Sequence, residues 1–281
     1  KLSGMVYPAQ IDTCKEDLLK ASITAATERG ITFTTHAAQS VMEFNIMVQR
    51  HGKTPIQWAD EIGILKPNSI IGHAIFIDEH SWLHWATRKD LGILAKSKAS
   101  VAHCPTPFAR YGHVLEDFGR YKRAGVNLGI GTDTTPHNMI EEMRWAAILG
   151  RVAAEDMFSI TTEDIFNAAT VDGAAALLRN DIGRLAPGMK ADLILVDLTN
   201  PNMRPARDPL RSLIYAAADR AVRDVFVDGT QVVADGKVLT MDLEGACYRV
   251  ELAQKRMMEK VPSIDYAKRT IGDLAPLSLL S

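Results

Sequence analysis

Four short apolar segments, each closing on or near a residue of one chemical kind, constrain this chain more than any other feature. Residues 31–35, 69–77, 100–103 and 126–131 are β-branched or apolar runs, and His36, His73, His103 and Asp133 stand at or near their ends. The intervals between these four polar residues are 37, 30 and 30 positions, each the length of one βα unit. Between them the sequence takes the helical period. Residues 16–29 repeat Leu18, Leu19, Ile23 and Ala26 before Gly30, and 39–50 and 89–98 follow suit. Strand and helix in alternation predict an α/β fold on a parallel sheet. Parallel barrels carry their active sites at the C-terminal ends of the strands. The four polar ends are therefore expected to converge on one mouth.

The second half changes character. Met139–Ala154 and 161–178 read as helices, with Thr161 as N-cap and Glu163 and Asp164 in the first turn. Residues 191–198 and Val222–Val227 read as strands. Asp228-Gly229 and Asp235-Gly236 fit tight turns, the first opening a hairpin into 231–234. This is a β appendage of at least three strands, followed by an amphipathic helix at 244–260 and a peripheral arm at 261–281. The expected division is 1–182 for the strand–helix part, 183–242 for the β segment and 243–281 for the helix and arm. The chain opens at Lys1, without methionine, on a segment (2–7) that itself reads as a strand before Pro8. A half barrel would leave buried parallel edges unpaired, so further polypeptide is expected to supply the remaining strands.

Composition removes several alternatives. The 281 residues are 47% hydrophobic and 23% charged, enough for a sizeable core. Thirty-two basic and 34 acidic residues give a formal charge of −2, without the concentrated basic face that nucleic acid requires. No apolar run approaches the roughly 18 residues of a membrane helix, and no secretory leader pattern opens the chain. Three scattered cysteines offer neither a disulfide framework nor a CxxC zinc site. A cytoplasmic protein with a small-molecule substrate, and no nucleic-acid or membrane partner, is expected.

The motifs carry the chemistry. In TTHAAQS (34–40) a β-branched strand delivers His36, small residues leave room beside it, and Gln39 follows in the expected first turn of a helix. Gly72 before His73 permits close approach of backbone or ligand. In 126–138 Gly129 and Gly131 flank a strand from which Asp133 emerges. Neutral imidazole and carboxylate suit zinc or iron, and an aspartate can also accept a proton from an activated water. His80 and His84, beside Trp82 and Trp85, read as packing or surface residues. His113 lies in a loop with Arg110 and Tyr111, where substrate contact is as plausible as solvent.

These motifs together resemble the C-terminal part of an amidohydrolase-superfamily enzyme, in the branch that holds cytosine deaminases, S-adenosylhomocysteine deaminases and triazine hydrolases. The β segment resembles it too: GRLAPGMKADLILVDL (183–198) and VRDVFVDGTQVVADGKVL (222–239) look like that family's closing β elements. The resemblance implies a distorted (β/α)8 TIM barrel, of which strands four to eight lie here, with a small β-sandwich appendage. It implies one divalent metal, zinc or alternatively iron, and often a homo-oligomer. It makes His36 the fifth-strand metal ligand, and Asp133 the eighth-strand ligand and general base. His73 becomes the sixth-strand histidine, a catalytic group and a further possible ligand. His103, in its HCPTP loop, together with Gln39 and His137, becomes substrate-binding. Two departures stand out. The eight histidines include no i, i+2 pair, so the HxH of the family's first strand is absent from this chain. Ring deaminases of the branch carry Glu where Gln39 stands.

The expected function is hydrolysis of a C–N bond (deamination) or a C–Cl bond in a small heterocycle by a metal-activated water. The alternatives are an acyclic amide, carbamate or imine hydrolase, and a catalytically inactive barrel that binds ligands.

Overall fold

In the computed structural model, which describes residues 2–279, four parallel strands form one sheet: β1 (Phe33–Ala37), β2 (Ser69–His73), β3 (Ser100–His103) and β4 (Asn127–Ile130). They are ordered β1-β2-β3-β4, each parallel to and beside its sequence neighbour, so every crossover steps to the adjacent strand in one direction. The register pairs His36 with Gly72 and Gly72 with Ala102. α1 (Glu16–Glu28) precedes the sheet, and the helices between the strands are α2 (Val41–His51), α3 (Pro55–Glu61), α4 (Asp90–Ser97), α5 (Pro105–Arg110) and α6 (Phe118–Arg123). Then come α7 (Met139–Ala154), α8 (Thr162–Ala169) and α9 (Val171–Ala176).

Local chemistry fixes the helix ends. Ser40 caps α2 by accepting the Glu43 N–H at 3.0 Å, and Gly52 ends it in the left-handed conformation with φ 66°. Thr54 caps α3 with Pro55 in its first turn. Thr161 and Asp164 form a reciprocal capping box on α8. Phe33, Ile71, Val101 and Leu128 from the sheet share one core with Leu19, Ile23, Met47 and Leu94 from the helices. Burial of each such side chain contributes about 1.5–3 kcal/mol before entropy is counted.

The expected five-strand start does not form. Residues 2–7 contribute only isolated bridges, Val6 to Phe33 and Gln10 to His36. The reason is Pro8. Val6 donates to Thr32 O and accepts from the Thr34 N–H, so the next rung needs an N–H at residue 8, which proline lacks. The register then slips by one: the His36 N–H goes to Ala9 O, and the Ile11 N–H to His36 O. Among the described residues the parallel sheet has β1 and β4 at its edges and is open, not a closed barrel.

Other boundaries shift for similar reasons. β2 stops at His73 rather than running to residue 77, because His73 and Ala74 adopt φ 76° and 44°. The helix expected over 161–178 is two helices, broken at Thr170 (φ −126°, ψ −91°). There Gly173 lies against β4: a Cβ on Gly129 would come within 3.4 Å of Gly173 Cα.

The β segment is one antiparallel meander of β5 (Leu193–Val196), β6 (Val222–Val227), β7 (Thr230–Ala234) and β8 (Lys237–Val238). A short helix, α10 (Pro209–Ser212), lies between β5 and β6. The second layer of the expected sandwich is not formed by the described residues, and Ile194 and Leu195 stay exposed. The terminal helix is longer than expected, α11 (Leu243–Ile264), and buries none of its residues. The arm beyond it holds one helical turn, α12 (Ile271–Leu274); its last two residues lie outside the described residues. No helix among the described residues is long and apolar enough to cross a membrane.

Candidate metal centre and active site

Three of the four strand-end residues meet. In β1 the alternation buries Phe33, Thr35 and Ala37 and leaves Thr34 and His36 on the opposite, half-open face. His73 closes β2, and its left-handed backbone turns the chain at the strand end. Asp133 lies three residues past β4, also left-handed, with φ 57°. The ligand atoms of His36, His73 and Asp133 all lie within 4.8 Å of one another. That is slightly wider than the roughly 4.4 Å that two opposed ligands at 2.2 Å can span. The two imidazole centroids are 4.8 Å apart, at 34°.

Gly72 makes that approach possible. A Cβ on Gly72 would lie 2.6 Å from His36 Cδ2, inside any tolerable contact. Gly131 plays a lesser version of the same part, since a Cβ there would meet Cys104 Sγ at 3.0 Å.

The loops that carry the site are strained. Ala38, His73, Ala74, Asp133 and His137 are non-glycine residues with positive φ, a conformation costing about 1–2 kcal/mol each. Interlocking backbone bonds hold two of these loops. The Ala74 N–H donates to Ala37 O at 3.1 Å, and the Phe76 N–H to Ala38 O at 2.7 Å.

The electrostatics suit a cation. His73 is 3% exposed, and its Nδ1 has no hydrogen-bond partner. Burial, with His36 and His103 nearby, pushes its pKa down to about 3. It is therefore neutral at pH 7, as a metal-ligating imidazole must be. Burial also lowers the His36 pKa, partly opposed by the Asp133 charge. Two neutral imidazoles, a carboxylate and an orphaned buried ring nitrogen fit a divalent ion of the zinc or iron type.

The remaining sequence candidates lie elsewhere. His103 ends β3 but is buried with its ring edge against Phe118 of α6, 5.8 Å between centroids. It stands outside the three-residue cluster, and burial pushes its pKa down to about 3. His137 is exposed and closes the loop after β4, its Nδ1 2.8 Å from Thr132 Oγ1. Gln39 is half-buried and precedes the Ser40 cap rather than sitting in the first helical turn. His80 is buried against Phe76 and Trp82, its Nδ1 accepting the Trp82 N–H at 3.2 Å. His113 packs among Phe76, Trp82 and Phe108.

Sequence reasoning missed three residues. The Tyr7 hydroxyl lies 3.4 Å from each ring nitrogen of His36, and the Phe108 ring centroid is 4.4 Å from that of His73. No spacing rule announces either. Glu43 is 1% exposed, and its carboxylate accepts the Ala38 N–H at 2.6 Å and the Gln39 N–H at 3.0 Å. Burial pushes it up to about 7, opposed by those two N–H groups and aided by nearby Asp12. Its signal was readable: Ser40-x-x-Glu43 has capping-box spacing.

Fold and site together define an α/β protein with a metal-type ligand set at the C-terminal ends of its parallel strands. Residues 3–232 match the amidohydrolase family, and the chain belongs to it. A 5-methylthioadenosine/S-adenosylhomocysteine deaminase of Natronomonas pharaonis is 33% identical over 241 residues, covering 84% of this chain and 54% of that protein. A 5'-deoxyadenosine deaminase of Methanothermobacter thermautotrophicus is 29% identical over 251 residues, covering 88% and 56%. Among solved structures, an adenosine deaminase from Xanthomonas campestris with bound zinc superposes with TM-score 0.80 at 27% identity, covering 89% of this chain and 56% of that one. Atrazine chlorohydrolase from Arthrobacter aurescens TC1, complexed with zinc, shares the fold with TM-score 0.77 at 22% identity, covering 88% and 53%. The chain thus spans a little over half the length of the relatives it matches.

Proposed function

We propose that this chain carries the metal-binding and proton-transferring half of a hydrolase that deaminates, or dechlorinates, a small heterocycle. The observation that carries the reading is the convergence of His36, His73 and Asp133 from the ends of β1, β2 and β4, in a chain of this family. His36, His73 and Asp133 would hold one divalent ion, zinc by preference, and its contribution is to bring the pKa of a water toward neutrality.

This chain's residues do the rest. Asp133 accepts the proton as the water oxygen bonds to the sp² carbon. It then returns that proton to the departing amine, so that ammonia leaves and the carbon keeps a hydroxyl, which becomes a ring carbonyl when its proton moves to the adjacent ring nitrogen; with a halide, chloride leaves and Asp133 gives its proton to solvent. His73 is too weak a base to carry a proton at neutral pH, so its part is that of a ligand or a ring N–H donor. Gln39 cannot exchange a proton, but its amide can donate to a carbonyl or accept from an N–H. It is assigned to hold an exocyclic or ring heteroatom, which favours a substrate that needs no ring protonation there. His137, at the open rim, is a second candidate substrate contact. His103 supports the wall instead, because its ring is buried against Phe118.

Metal analysis combined with a substrate panel tests this. The protein should hold close to one equivalent of zinc or iron. It should release ammonia or chloride from at least one member of a panel of 5'-modified adenosines, aminopyrimidines and chlorotriazines. Less than about 0.1 equivalent of metal, with no turnover, would favour an inactive barrel that only binds. A homo-oligomer in the cytoplasm completes the proposal, and light scattering and cell fractionation check it.

A further inference from the structure

We propose that Glu43 is a positioning residue whose carboxylate, laid across the turn after β1, sets where Gln39 enters the mouth of the site. The inference rests on the reading above that the Gln39 amide contacts substrate. An ordinary capping-box glutamate reaches back to the N–H of the cap residue itself. Glu43 passes over Ser40 and takes the two N–H groups before it. One carboxylate oxygen is 2.6 Å from the Ala38 nitrogen, and the other is 3.0 Å from that of Gln39. Ser40 meanwhile accepts the Glu43 N–H at 3.0 Å, closing the loop on itself.

A helix cap alone does not call for this arrangement. A glutamate in the first turn already favours the helix from an exposed position, whereas burying a carboxylate carries a desolvation penalty. Glu43 is nevertheless buried, and what its charge touches is the turn, not the helix. That turn needs holding, because Ala38 adopts φ 56° without being glycine. It also lies two residues past His36 and leads directly into Gln39. Among the described residues the Gln39 side chain makes no hydrogen bond of its own. Its backbone is therefore the only part that is fixed, and Glu43 fixes it.

The test is Glu43→Gln in the full protein, read in two ways. The amide offers an acceptor to only one of the two N–H groups and turns its own NH₂ toward the other. Hydrogen exchange at the Ala38 and Gln39 amides should quicken by about tenfold or more, with β2 unaffected. Loss of alignment at a reacting centre is worth up to about 10²-fold in rate. On the substrate of the panel that turns over best, kcat should fall about 10–100-fold per metal-loaded molecule, with KM changing less and bound zinc unchanged.

A double-mutant cycle with Gln39→Ala shows whether the effect passes through Gln39. The double variant should be no slower than the worse single one. Additive losses, or unchanged exchange at the two amides, would overturn the positioning role. A Gln39→Ala variant indistinguishable from wild type on every substrate would overturn it together with the substrate-contact assignment. If Glu43→Gln fails to fold, Glu43→Asp, one methylene short of the turn, carries the same cycle and the same exchange measurement.

Discussion

Gly72→Ala isolates the geometry of the site from the stability of the fold. The new Cβ would lie 2.6 Å from His36 Cδ2, whereas ordinary contact begins at 3.4 Å. The imidazole must therefore retreat by about 0.8 Å, the difference between those two distances. Gly72 sits in extended strand backbone without a positive φ, paired to His36 and Ala102, so alanine meets no backbone strain there. At compatible positions Gly→Ala even adds about 0.4–1 kcal/mol by restricting the unfolded chain. A His36 ring forced off its rotamer would cost about 0.5–1.5 kcal/mol. The two effects nearly cancel in stability. They do not cancel in metal binding, where disturbing the orientation of a ligand typically costs about 10–100-fold. The assay pairs zinc affinity, by competition with a chromogenic chelator, with thermal unfolding after the metal is removed. A weaker zinc site in a protein of unchanged melting temperature is the expected result. Zinc affinity within about threefold of wild type would refute the assignment of His36 as a ligand, or the contact that holds it.

Other substitutions test the remaining roles. Asp133→Asn should lower turnover by several orders of magnitude with unchanged circular dichroism, since base catalysis alone supplies about 10²–10⁴-fold; more than about a tenth of wild-type activity would sink the assignment. Gln39→Glu should improve turnover of an aminopyrimidine or aminopurine that needs a ring proton and impair the native reaction. Changes within about twofold in kcat/KM across the panel would remove Gln39 from the chemistry. His103 has a folded pKa of about 3 against the ordinary 6.5. Its contribution is thus whole above pH 6.5 and lost as pH falls toward 3, because only the unfolded chain takes up the proton at first. In the metal-free protein the stability should fall with acid over that window, by about 1.4 kcal/mol per pH unit for each such histidine. His103→Leu should flatten the slope by one proton, and an unchanged slope would contradict the burial argument.

The sequence by itself determined the βα rhythm and the identity of the groups at the strand ends. Both follow from local rules: apolar period sets the element type, and β3, β6 and α7 appear with the expected bounds. It also determined Gly72, since a glycine beside a strand-end histidine implies close approach. Tertiary structure alone decided which strand-end residues meet. His36 and Asp133 reach the mouth, while His103, spaced as regularly, is buried against Phe118. Spacing counts residues along the chain, but the face a side chain takes depends on parity within the strand and on the φ of the last residue. A left-handed His73 cannot be read from its neighbours. Tertiary structure likewise decided that Pro8 breaks the first pairing, because a missing N–H matters only where a partner carbonyl waits for it. It decided, too, that Glu43 turns inward, since a capping-box spacing fixes which residues can bond and not whether water or a strained turn lies in front of them.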